Sequence, residues 1–176
     1  EAAADTGINH LETAPAYGPA EAFVGVALRH QCRSPEGGWV ITSKLLPGLT
    51  LIEGQHQLDG MLSRLNCSRL DNLAVHGINR QDHLDWALSG DGAALLDWAV
   101  NSGRVQQVGF SSHGSMTVID RALRSGRFSF CSLHLHLLDP LRLPLALWAL
   151  QHDIGVMAIS PADKGGRLQA PSPTLV

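Results

Sequence analysis

Charge and sulfur are both scarce in this chain of 176 residues. Charged side chains make up 16% of it, 13 basic against 16 acidic, for a net charge of −3. That balance leaves no electrostatic footprint for nucleic acid or an anionic membrane surface, so neither is expected as a partner. The three cysteines, Cys32, Cys67 and Cys131, are far apart, odd in number and form no Cys-x-x-Cys spacing. Neither a disulfide framework nor a zinc knuckle is therefore indicated, and a reducing, cytoplasmic setting is the default expectation. No apolar run approaches the roughly 18 residues of a membrane span, and no signal peptide is visible. Glu1 to Gly7 read instead as the last turns of a helix closed by glycine. With no initiating Met, an upstream segment is expected. Aromatics are few, at 5%, and Tyr17 is the one tyrosine.

What is present is an ordinary apolar content of 44%, enough for one domain with a real core. Strand-like stretches start near residues 8, 39, 71, 105, 129 and 155, and helical patterns fill the gaps. This alternation is the signature of βα units around a parallel sheet. The helix after Pro47-Gly48 carries Leu58, Met61, Leu62 and Leu65 at three- and four-residue spacing. The connection from Gly77 to Gly92 reads as a long, functional or mobile loop holding a short helical pattern and Trp86, which either lines a pocket or pins the loop. A strand is expected from Phe128 to Leu137, with His134 and His136 sharing one face. The expected fold is α/β: about six βα units of a (β/α)8 barrel, which needs roughly 250 residues when complete. An open doubly wound sheet is the alternative.

The stretch Ile8 to Gly18 is where chemistry gathers. Glu12 ends the first strand, and Tyr17 follows it in a loop broken by Pro15 and Gly18. Lys44 ends the second strand and His76 the third. Parallel strands bring all four to one edge of the sheet, where α/β proteins build their sites. A tyrosine with an ordinary pKa of about 10 is a poor acid near neutrality, but a neighbouring ammonium stabilises the phenolate. A carboxylate holds that ammonium, and a histidine can bind a substrate oxygen. The set suits protonation of a carbonyl oxygen while hydride reaches the carbon.

In order and spacing, the chain resembles the aldo-keto reductase family. The resemblance is carried by Gly7 to Ala14 with Tyr17-Gly18 and Glu21, by Ile41-Thr42-Ser43-Lys44, by Leu65 to His76, by Gly103-Arg104-Val105 to Gly109-Phe110-Ser111, and by Ile159-Ser160-Pro161. Asp163 to Gly166 resembles a branch whose members often carry a ferredoxin-like iron–sulfur segment further on, outside this chain. The resemblance implies a partial aldo-keto reductase barrel over residues 1–176, lacking its first and last strands. Two open sheet edges would result, and such a piece alone is expected to be unstable or to aggregate. It implies a small-molecule carbonyl substrate and NADP or NAD as cofactor, with NADP favoured. Tyr17 would donate the proton, assisted by Lys44, with His76 orienting the carbonyl and Glu12 standing where the family usually has Asp.

On the cofactor side, the resemblance places Ser111, Ser112 and Ser132 where a Ser-Asn pair and a Gln usually hold the carboxamide. Ile159 replaces a stacking tyrosine, and Ser160, Pro161 and Lys164 match a phosphate-contacting loop. These departures keep open a non-catalytic barrel that senses a nucleotide or binds a partner. His134 and His136, with His113, resemble metal ligands. Nine histidines make chance pairs common, so no metal is expected and a metal-dependent hydrolase is the more remote alternative.

Overall fold

The computed structural model describes residues 5–29, 38–136 and 138–163. Six strands appear in chain order: β1 (His10–Glu12), β2 (Val40–Leu45), β3 (Leu70–Val75), β4 (Val105–Ser112), β5 (Phe130–His134) and β6 (Gly155–Ile159). Between them run helices α1 (Ala20–Arg29), α2 (Leu51–Leu65), α3 (Gln81–Leu88), α4 (Gly90–Asn101), α5 (Met116–Arg124) and α6 (Leu143–Gln151). The sheet order is β1-β2-β3-β4-β5-β6 with every neighbouring pair parallel. This is a curled, incomplete (β/α)8 barrel, as the sequence periodicity predicts. No helix among the described residues is long and apolar enough to cross a membrane.

Alternation along each strand divides the side chains between two faces. Ile41, Leu45, Leu73, Val75, Val108, Phe110, Cys131 and Leu133 join Leu58, Met61, Leu65, Leu95, Ile119 and Ala149 in one apolar layer under the helices. The opposite, concave face is polar: His10, Thr42, Lys44, Asn72, Gln107, Ser111, Ser132 and His134 alternate with that layer. A cavity of about 460 Å³ opens on this face between β1 and β6, lined by His10, Asn72, Gln107, Phe130 and Met157.

Local signals set the boundaries. Thr50 and Glu53 form a reciprocal capping box at the start of α2, and Asn66 closes it in the left-handed region. Ser115 caps α5 through the Val118 amide. Gly25 lies where α1 meets α2 so closely that a Cβ would stand 1.9 Å from the Arg64 carbonyl oxygen.

Two expectations change. The Gly77–Gly92 connection is mostly helical: α3 ends at Leu88, and α4 begins two residues later. The Trp86 indole N–H donates to the Leu49 carbonyl at 2.8 Å, so this tryptophan pins α3. Gly92 lets α4 start against it, because a Cβ there would lie 2.1 Å from the Trp86 carbonyl oxygen. Strand β5 stops at His134 rather than Leu137. Beyond it the chain folds back, with the Asp139 N–H donating to the His136 carbonyl at 3.1 Å; Leu137 lies outside the described residues.

Candidate active site

Thr13 extends the β1 ladder by one bond, its N–H donating to the Thr42 carbonyl at 2.9 Å. Pro15–Tyr17 then form a single 3-10 turn, closed by the Tyr17 N–H on the Ala14 carbonyl at 3.0 Å. Proline presets this turn, and Gly18, at φ +62°, supplies the left-handed geometry that leads out of it. The turn lifts the phenol over the C-terminal edge of the sheet with 47% of the residue exposed.

Beside it, β2 presents Lys44 on its concave face. The residue is 3% exposed, and its ammonium is satisfied from two sides. Nζ donates to the Tyr17 hydroxyl at 2.7 Å and pairs with Glu12 Oε1. It also stands 4.4 Å from the Tyr17 ring centroid. A buried lysine without such partners would bear a large desolvation cost. Glu12, one methylene longer than the family's usual aspartate, reaches the ammonium from the end of β1.

His76 follows β3 directly. Its backbone N–H donates to the Leu45 carbonyl at 2.7 Å, and its ring meets Tyr17 edge-on, with centroids 5.7 Å apart. Burial pushes the imidazole pKa below its ordinary value, and the Lys44 charge pushes the same way against the opposing pull of Glu12. His76 is therefore neutral near pH 7, with one ring N–H to donate.

The four residues singled out at strand ends thus converge. Sequence reading missed what holds them there. Ser43, on the helix-facing side of β2, donates to Glu21 Oε1 at 2.7 Å. Arg64 of α2 donates to Glu21 Oε2 through Nε at 2.8 Å and through its terminal nitrogen at 2.7 Å. Glu21 is 1% exposed and lies in the first turn of α1, where a carboxylate is also favoured by the helix dipole. Consecutive residues of one strand therefore hold the Tyr17 hydroxyl and the helix that follows Tyr17.

A cavity of about 630 Å³ opens on the quartet. Glu12, Tyr17, Lys44 and His76 border one side; Ser111, Ile159, Ser160 and Pro161 border the other, with Asn79 and His113 between them. Ser111 Oγ accepts the Gly77 N–H at 3.0 Å. Ser112 is committed to the loops after β3 and β4: its hydroxyl donates to the Ile78 carbonyl at 2.6 Å and accepts the Gly114 N–H at 3.0 Å. Ser132, in register with Ser111, is fully buried and its hydroxyl has no partner among the described residues. At the cavity wall, the Ser111 hydroxyl and the apolar Ile159 suit the amide and flat face of a nicotinamide, with Ser132 in register next to Ser111 on the neighbouring strand. Ser160 adopts φ +54°, turning the chain out of β6. Lys164 lies outside the described residues.

The tyrosine, lysine, histidine and carboxylate thus stand at the C-terminal mouth of a curled parallel barrel, the face on which barrel folds build their sites. The chain belongs to the aldo/keto reductase family, whose model matches residues 1–171. Among solved structures, it is similar to a protein of Pseudomonas aeruginosa assigned to the aldo-keto reductases, at 26% identity and TM-score 0.74, covering 88% of this chain and 60% of that one. It is similar in fold to an aldo-keto reductase from Klebsiella pneumoniae solved in complex with NADPH, at 24% identity and TM-score 0.75, covering 96% and 58%. It also shares its fold with an aldo/keto reductase from Brucella melitensis, at 23% identity and TM-score 0.73, covering 96% and 63%. The chain thus spans about three fifths of the length of these structures. No curated protein matches it.

Proposed function

We propose that this chain carries the catalytic mouth of an NAD(P)H-dependent reductase that converts the carbonyl of an aldehyde or ketone to an alcohol. The observation supporting it most directly is the contact of the Lys44 ammonium with both the Tyr17 hydroxyl and Glu12 at the cavity wall. A bound nicotinamide dinucleotide would supply the hydride. In this reading, the neutral His76 donates a hydrogen bond to the carbonyl oxygen and fixes its position. Tyr17 passes its proton to that oxygen as negative charge develops there. Lys44 stabilises the phenolate left behind, and Glu12 holds the ammonium in place. Because the lysine and carboxylate are set before substrate arrives, little reorganisation accompanies the proton transfer.

Ser111 and Ser132 would hold the carboxamide, Ile159 would cover the ring, and Ser160, Pro161 and Lys164 would approach the phosphates. NADP is preferred over NAD because NADPH is bound by the Klebsiella protein of the same fold. A small-molecule carbonyl compound is the partner this site suits. A second reading, a barrel that binds the nucleotide without turnover, draws on the commitment of Ser112 to its own loop. The deciding experiment offers the full-length protein a panel of aldehydes and ketones with NADPH or NADH. Nicotinamide oxidation coupled to alcohol formation is expected. Quenching of tryptophan fluorescence by cofactor with no turnover across the panel would favour the second reading.

A further inference from the structure

The fold-back after β5 gathers a cluster that the proposed reduction does not use. His134 ends the strand, and His136 follows on the same side. Asp139 returns to them through the turn closed by its own N–H on the His136 carbonyl. One potential ligand atom from each of His134, His136 and Asp139 lies within 4.8 Å of the others. The His134 and His136 rings stand 5.0 Å apart. Asp163, in the turn after β6, brings a carboxylate oxygen to 3.7 Å from His136 Nε2 and 3.9 Å from His134 Nε2.

A second observation marks this as more than a chance pair. His134 is 7% exposed, yet its Nε2 has no hydrogen-bond partner among the described residues. A buried ring nitrogen left unsatisfied is costly, and here it faces into a group of potential ligands. The His136 side chain is also nearly enclosed.

We propose that His134, His136 and Asp139 bind one divalent ion of the zinc class, with Asp163 closing the shell as fourth ligand or as hydrogen-bond partner to an imidazole. Two imidazoles with carboxylate oxygen select zinc over magnesium or calcium, which prefer oxygen alone. Ligand atoms of a tetrahedral ion with bonds of about 2.1 Å stand about 3.4 Å apart, so binding would draw the three groups closer. The contacts that yield are weak: the Leu138 N–H on His136 Nδ1 at 3.3 Å and the Leu141 N–H on Asp139 Oδ1 at 3.4 Å. Arg142, held against the His113 and Gly114 carbonyls, stands 3.6 Å from Asp139 Oδ2 on the far side of the carboxylate group. The ion would clasp the β5 and β6 exits together beside the cavity.

The test is titration of chelator-treated full-length protein with Zn²⁺ by calorimetry and with Co²⁺ by visible absorption. The expected result is one site per chain and a cobalt ligand-field band. Affinity should fall by at least about tenfold in Asp139→Ala and in His136→Ala, with unchanged circular dichroism. Asp139→Asn provides a milder variant should the alanine forms fold poorly. Absence of stoichiometric metal, or binding unchanged in the well-folded variants, overturns the proposal. Turnover of NADPH in the same preparations is scored separately. Reduction without metal would refute only the metal site, and metal without reduction would refute only the reductase reading.

Discussion

Replacing Tyr17 with phenylalanine removes one oxygen and tests the centre of the proposed chemistry. The structure sets limits on what else can change. The lost contact is the 2.7 Å bond from Lys44, but Glu12 remains on the ammonium and the ring keeps its edge-on contact with His76. Because Tyr17 is about half exposed, the stability loss should be at most about 1 kcal/mol, the size of one net hydrogen bond near solvent. The rate loss should be much larger. General acid catalysis contributes about 10²- to 10⁴-fold, or about 3–5 kcal/mol in the barrier. Cofactor affinity should hold within about twofold, since no proposed cofactor contact is touched. Steady-state reduction, cofactor titration by tryptophan quenching and a denaturant melt separate the three quantities. A variant that keeps kcat within a few-fold of the parent would remove Tyr17 from the chemistry. One that loses cofactor binding as strongly as turnover would show instead that the turn itself had collapsed.

Ser43→Ala should lower stability by about 1–3 kcal/mol by stranding an oxygen of the buried Glu21; kcat should fall with little change in KM, because Tyr17 loses its fixed position, and a denaturant melt beside steady-state kinetics checks both. Gly25→Ala should destabilise by about 1–3 kcal/mol through overpacking against the Arg64 carbonyl, read as a shifted denaturation midpoint. Burial lowers the pKa values of His10 and His76 from 6.5 in the folded chain. The unfolded chain therefore takes up protons first as the medium acidifies. The resulting stability should be intact above about pH 6.5 and decline as pH falls toward the folded values, measured as midpoints in buffers between about pH 7.5 and 5. Cys131 is buried with its thiol pushed up to about 12, so native protein should leave it unalkylated while denatured protein exposes it.

Much of this structure was legible because its signals are local and periodic. The strand starts at Val105 and Gly155 follow from βα alternation alone, and α2 from its apolar spacing. The meeting of Tyr17, Lys44 and His76 was legible because parallel strands put their C-terminal ends at one edge. What escaped depends on contacts between distant residues. Nothing near Ser43 in sequence indicates that its hydroxyl reaches Glu21, or that Arg64 arrives from α2. The Gly77–Gly92 segment read as a loop because its Gly and Ser residues break helical periodicity. Its helices are held by long-range packing, above all the Trp86 bond to Leu49. The two-histidine face was visible, but its carboxylates were not: Asp139 comes from a turn and Asp163 from another strand exit.

The serine substitutions on the cofactor side gain a different meaning from their surroundings. Two of the three serines, Ser112 and Ser132, stand where longer amides are usual, which suggests a weakened grip if both are counted alike. The structure separates them. Ser112 spends its donor on the turn after β3 and an acceptor on its own turn after β4, and so shapes the cavity rim. Among the described residues, the Ser111 hydroxyl accepts one bond, from Gly77, and the Ser132 hydroxyl makes none. The loss of reach is therefore concentrated at Ser132, where a buried hydroxyl is already without a partner. Ser132→Ala should leave stability unchanged or slightly higher, because it removes an unsatisfied polar atom. If that hydroxyl meets the carboxamide, the same change should weaken cofactor binding by about fivefold to tenfold, the equivalent of about 1 kcal/mol. Unchanged cofactor affinity in a normally folded Ser132→Ala protein would place the carboxamide elsewhere and leave Ser111 as the proposed contact.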